Sequence, residues 1–89
     1  MKIEYDQSKD RNNLEKHGVF LQDAVHLEWD MLLAIQDTRY DYDEIRMIGY
    51  APIGRRVFCV VYTDRDDVRR IISLRKANKR EVKRYADQI

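Results

Sequence analysis

From Met31 onward apolar residues recur at every second position, in segments separated by turns too short to hold a crossover helix. Met31 to Asp37 reads as one strand, followed by a polar loop from Thr38 to Asp43. Glu44 to Ala51 reads as the next, with Ile45, Met47 and Gly49 on one side and Arg46, Ile48 and Tyr50 on the other. Ala51-Pro52-Ile53-Gly54 carries Pro and Gly at the second and fourth positions of a turn. Arg55 to Thr63 is almost continuously apolar, which points to a central place in a sheet. Asp64 to Asp67 is a further turn, and Val68 to Arg75 a further strand. Connections this short favour antiparallel hairpins.

The remaining segments read as one strand and three helices. Met1 to Tyr5 alternates as a short strand. Ser8 is placed to cap a helix from Lys9 to about His17, closed by Gly18. Phe20 to Trp29 reads as a second helix with Phe20, Ala24, Val25 and Leu27 on its buried stripe. Asn78 and Glu81 form a capping box for a last helix, whose apolar face would hold Val82, Tyr85, Ala86 and Ile89. The order β-α-α-β-β-β-β-α predicts an α+β domain spanning residues 1–89. It would be a two-layer antiparallel sheet with an N-terminal helical hairpin on one face and the C-terminal helix beside it. The other face would stay partly open for function.

Charge is divided along the chain. Residues 1 to 45 carry five Lys/Arg against eleven Asp/Glu, whereas residues 46 to 89 carry twelve against five. The net charge of +1 therefore hides an acidic half and a basic half, and the basic half is the candidate contact for an anionic partner. No apolar run approaches a membrane span and no signal-peptide pattern opens the chain. Cys59 is the sole cysteine and sits in the apolar strand, as a small buried thiol would. With two His and no surrounding carboxylate cluster, a zinc site is not expected, and a reducing cytoplasm is the expected location.

The cations of Val68 to Tyr85 form the first chemical constellation. Strict alternation puts Arg69, Ser73 and Arg75 on the open face, and Val68, Arg70, Ile72 and Leu74 toward the helices. Solvated arginines explain such a face equally well by composition. The following helix tips the balance: Lys76/Arg80, Lys79/Lys83 and Arg80/Arg84 are like-charged pairs four residues apart, each costing an isolated helix roughly 0.2–0.5 kcal/mol. Their presence points to an anionic partner, either RNA, DNA or an acidic protein, and for RNA the expected binding set is Arg69, Ser73, Lys76, Lys79, Arg80 and Lys83.

The second constellation is Asn13-Leu14-Glu15-Lys16-His17-Gly18, in which Asn13, Lys16 and His17 share a helical face. Lys16 and His17 would also favour a helix C-terminus through the dipole alone. His17 is the side chain best suited to proton transfer near neutrality, whereas His26 reads as structural. RNA cleavage through the 2′-OH needs a base, an acid and fixed cations, and needs no metal or other cofactor. Lys16, His17, Arg46, Arg55, Arg75 and Glu81 are the catalytic candidates, with the arginines limited to binding and charge stabilisation. Glu81 can equally be occupied by its cap, and Tyr85, a weaker candidate, can equally be core.

Asn13-x-x-Lys16-His17-Gly18-Val19 with Ala24, Glu44-x-Arg46, Val60-Val61-Tyr62-Thr63, and Arg70-Ile71-Ile72-Ser73-x-Arg75-Lys76-Ala77 followed by Glu81 and Tyr85 closely resemble the BrnT toxins of bacterial type II toxin–antitoxin systems. The departures are small: Asp43 precedes Glu44 where the family often has Gly, and Tyr5 stands where Phe or Trp is usual. The resemblance implies a RelE-like fold and a ribonuclease that arrests translation. It also implies a BrnA-type antitoxin partner in a complex of two toxins and two antitoxins, with DNA contacted only through the antitoxin. The competing expectation is a non-enzymatic basic module that docks an acidic protein or nucleic acid. A DNA-reading regulator fits less well, because no helix-turn-helix spacing is present and the second helix is acidic.

Overall fold

A computed structural model describes residues 1–89 as a five-stranded sheet with helices on both faces. In chain order the elements are β1 (Lys2–Tyr5), α1 (Gln7–His17), two 3₁₀ turns (Leu21–His26 and Trp29–Met31), β2 (Leu33–Gln36), β3 (Met47–Ile53), β4 (Arg56–Arg65), β5 (Val68–Lys76) and α2 (Lys79–Gln88). The strand order is β1-β5-β4-β3-β2. Strands β2 to β5 pair antiparallel, as the short turns require, but β1 joins β5 in parallel, so the sheet is mixed rather than antiparallel. No helix is long and apolar enough to cross a membrane.

Three local readings change for identifiable reasons. The expected second helix is a pair of 3₁₀ turns, and the helical hairpin does not form. Its fully buried residues are Leu21, Ala24 and Leu27, spaced by three as a three-residue turn demands, while Phe20 and Val25 are exposed. The expected turn at Ala51 to Gly54 lies further along: Pro52 and Ile53 pair with Val57 and Arg56, and the hairpin turns on Gly54-Arg55 alone. Gly54 takes φ +59°, which only glycine adopts cheaply in a two-residue hairpin loop. The cap of α1 also moves, from Ser8 to Asp6, whose carboxylate accepts from both the backbone N and the hydroxyl of Ser8.

The core lies between the sheet and the α1–3₁₀ layer. Leu21, Ala24 and Leu27 pack on Ala51, Phe58, Val60, Tyr62, Ile71 and Leu74. Helix α1 alone has almost no apolar face to bury, so it is held by hydrogen bonds. Asp10 accepts from the backbone N of Leu21. Asn13, 7% exposed, donates to the carbonyls of Leu74 (2.7 Å) and Val19 (2.9 Å) and accepts from the N of Leu74 (3.2 Å). Strand β1 ends at Tyr5 opposite Ile71, leaving the rest of that edge of β5 without a strand partner. The Asn13 amide supplies the donor and acceptor that a neighbouring strand would have given Leu74.

That substitution sets a stability test. Asn13→Ala leaves the buried N–H and C=O of Leu74 unpaired, and an expected loss of about 2–4 kcal/mol should appear in urea denaturation. A loss under about 0.5 kcal/mol, typical of a neutral surface change, would sink the role given to the amide.

Candidate active site

Strand β5 carries a bulge that decides which cations share a face. Tyr62 pairs with Ile71 but Val61 pairs with Ser73, so Ile72 is the extra residue. Alternation therefore restarts at the bulge. Arg69, Ile71 and Leu74 face the core layer, and Ser73 and Arg75 face the reverse side with Cys59 and Val61. The expectation that Arg69 shares the open face with Ser73 and Arg75 is corrected. The Arg69 guanidinium lies 4.8 Å from the Trp29 ring centre and 4.2 Å from that of Tyr62, and pairs with Asp64 at 2.7 and 2.9 Å. It clamps the 3₁₀ layer to the sheet and is not an open-face cation.

Arg75 is anchored from α2. Its Nη1 and Nη2 donate to the two carboxylate oxygens of Glu81 at 2.8 and 2.9 Å. Glu81 also accepts from the backbone N of Asn78 (2.9 Å), closing the capping box, and from the Tyr50 hydroxyl (3.0 Å). The carboxylate is buried, and its bond to Arg75 outweighs the cost of burial, bringing its pKa from the ordinary 4.5 to about 2. Glu81 is thus ionised and saturated with donors, a poor proton carrier and a rigid mount for Arg75. Burial raises the pKa of the Tyr50 phenol and of the Cys59 thiol, so neither is a ready base at neutral pH. Tyr85 is core: it is 5% exposed and its hydroxyl donates to the carbonyl of Met31 at 2.6 Å.

Helix α1 carries the candidate proton carrier, His17, at its end. Gly18 at φ +75° closes the helix with its N–H on the Leu14 carbonyl, so Lys16 and His17 occupy the last turn. The Asn13 clamp to Leu74 fixes the helix against β5 one turn before His17. The half-buried His17 imidazole is held below its ordinary 6.5, first by burial and then by the charges of Lys16 and Arg75. At pH 7 it is neutral and able to accept a proton, with two cations close by. Lys16 itself is exposed.

The other candidates spread over the open face and its ends. Ser73 is half-buried on the same face as Arg75. Lys79, Arg80 and Lys83 are exposed on α2, and Lys76 is exposed at the end of β5. Arg55 is exposed in the β3–β4 turn, four residues from the Cys59 that pairs with Arg75, ~13 Å along the strand at a rise of ~3.3 Å per residue. Arg46 stands at the far end of β3, ~13 Å along the strand from Tyr50 at the usual rise of ~3.3 Å per residue. The structure therefore does not bring Arg46 or Arg55 to Arg75. His26 is exposed. Val82 and Ala86 on α2 and Ile89 just beyond it, expected on its apolar face, are exposed too. A cavity of about 370 Å³ between α2 and the β2–β3 edge, lined by Leu33, Ile35, Ile48 and Tyr85 among others, leaves that helix only partly seated.

Two contributors escaped the sequence. Asn13 was visible as a member of the Lys16–His17 face, but its part as a stand-in ladder partner depends on where β1 stops. Tyr50 gave only the alternation signal of a strand residue, and nothing marked its hydroxyl as a donor to Glu81.

A family model described as the ribonuclease toxin BrnT of type II toxin–antitoxin systems matches residues 5–81. That span includes Lys16, His17, Arg75 and Glu81. No curated protein matches the chain. With the match running over most of its length, the chain belongs to the BrnT family, the ribonuclease toxins of type II toxin–antitoxin systems, and its partner is an antitoxin.

Proposed function

We propose that this protein is a metal-independent endoribonuclease on a RelE-like scaffold, cutting RNA by attack of a 2′-OH on the adjacent phosphate. The observation that supports the reading is the Asn13–Leu74 clamp, which fixes α1, and with it His17, against the strand that carries Arg75. His17 accepts the 2′-OH proton. Arg75 and Lys16 stabilise the extra negative charge on phosphorus, and the Lys16 ammonium gives a proton to the departing 5′-oxygen. Ser73 and the exposed cations Lys76, Lys79, Arg80 and Lys83 hold the flanking strand. Arg46 and Arg55 lie outside this chemistry, and Glu81 supports it by positioning Arg75. In the cytoplasm such cleavage would arrest translation until a BrnA-type antitoxin, in a complex of two copies of each chain, neutralises it.

The test is cleavage of a labelled RNA oligonucleotide by the purified protein. The expected products end in a 2′,3′-cyclic phosphate and a 5′-OH, the yield is unchanged by EDTA, and a single 2′-deoxy substitution at the cleaved position abolishes it. Protection by EDTA would overturn the metal-independent mechanism. Intact RNA at high concentrations of folded protein would overturn the enzymatic reading in favour of a binding module.

A further inference from the structure

The loop between β2 and β3 is held more firmly than a connecting loop needs to be. Asp37, 4% exposed, accepts from the backbone N (3.1 Å), Nε (3.0 Å) and Nη2 (3.0 Å) of Arg39 and from the Tyr42 hydroxyl (2.8 Å). Its own backbone N donates to the Arg46 carbonyl at 2.7 Å, so one residue ties both ends of the loop. The product of this bracing is an aromatic–cation stack. The Arg46 guanidinium lies 4.0 Å from the centre of the Tyr42 ring, with its Nη2 on Glu44 at 2.9 Å. The Tyr40 ring meets Tyr42 edge-on at 5.9 Å and is 70% exposed.

A large aromatic ring, fixed from below and left in water, is costly for a fold that gains nothing from it. Arg46 alternates with Ile48 and Tyr50, so the stack stands on the same sheet face as Arg75. From the register the two are ~16 Å apart, four residues along the strand and two strands across. The floor between them is half-buried Ile48, Val61 and Ser73, and beside it runs a groove of about 550 Å³ lined by Arg46, Thr63, Arg65, Arg70 and Ile72. The charge in that groove is partly cancelled, Arg70 pairing with Glu4 and Arg46 with Glu44. With the groove's charge so balanced, attraction at this end would come from the exposed Tyr40 ring beside it more than from net charge, which fits a base better than a phosphate.

We propose that Tyr40, mounted on Tyr42 and Arg46, is a second RNA subsite that stacks an unpaired base of the strand whose phosphate lies at Arg75. The inference rests on the ribonuclease reading of the Arg75 end and adds a register to it: the substrate is single-stranded and must extend a few nucleotides from the cut. Stacking on a tyrosine tolerates any base, so this subsite sets the length of the recognised strand and leaves its sequence open.

Fluorescence anisotropy with 2′-O-methyl oligonucleotides, which bind but cannot be cut, tests it directly. The wild type should bind an octamer roughly tenfold tighter than a dinucleotide, and Tyr40→Ala should remove that advantage, whereas Tyr40→Phe should keep it. Unchanged octamer affinity in Tyr40→Ala overturns the proposal, and so does a Tyr40→Phe variant as weak as Tyr40→Ala. Cleavage of the ribose octamer by wild type, run in parallel, separates the two readings. Cleavage with no effect of Tyr40→Ala on octamer affinity sinks the subsite alone. Loss of affinity in a protein that never cleaves supports the subsite and sinks the nuclease.

Discussion

Arg75→Ala is expected to lower RNA cleavage by about 10²–10³-fold, the usual cost of removing one fixed group that stabilises transition-state charge. It should also lower stability by about 2 kcal/mol, because the buried Glu81 carboxylate loses its bidentate partner and keeps only the Tyr50 hydroxyl and the Asn78 N–H. Arg75 is about one-third exposed, so water moderates that cost. The two effects can be parted. Arg75→Ala combined with Glu81→Gln removes the uncompensated charge, and it should recover most of the stability and none of the activity. A single Arg75→Ala variant that cleaves at wild-type rate would show that Arg75 serves the fold alone.

Acid unfolding reports on the same pair. The Glu81 pKa is depressed, so its contribution to stability is complete above the ordinary 4.5 and is lost as pH falls through about 2. Without Arg75 the chief cause of the depression is gone, and the acid limb of the Tm profile should move upward toward 4.5. Loss of activity without this movement would mean that Glu81 does not hold Arg75 in solution.

The residue types of the site were legible, whereas their arrangement was not. His17 stands out as a neutral-range titrating group before a helix-ending glycine, and Arg75 as a cation late in an apolar strand. Strict alternation grouped Arg75 with Arg69, because a one-residue bulge at Ile72 leaves no trace in hydrophobic pattern yet turns over every side chain beyond it. The starts of β5 and α2 followed from period and capping, since those signals are local, whereas β4 runs two residues past the expected end at Thr63, with Asp64 and Arg65 paired to Arg69 and Val68. The parallel pairing of β1 with β5 was hidden because it links Lys2 to Val68 across most of the chain. The second helix was misread because Phe20, Ala24 and Leu27 recur at helical spacing over a span too short to exclude the three-residue turn that buries Leu21 instead of Phe20.

The second large effect belongs to His17. His17→Ala should reduce cleavage by about 10²–10⁴-fold through loss of a positioned base, with little change in stability because the ring is only half-buried and makes no hydrogen bond that holds the fold. The pH profile carries the more specific signature. Burial and the charges of Lys16 and Arg75 press the imidazole pKa below 6.5, so wild-type kcat/KM should be level near neutrality and fall on acidification with a midpoint below that value. Lys16→Ala removes one of the two cations, and the midpoint should rise toward 6.5 even as the rate drops. A Lys16 that only bound RNA would lower the rate without moving the midpoint. Added imidazole should restore part of the activity to His17→Ala and none to Arg75→Ala, because a diffusing base can replace a missing base but not a missing guanidinium. A flat profile from pH 5 to 8, or a His17→Ala variant of near-normal rate, would move the proton carrier elsewhere and leave His17 as a polar end to α1.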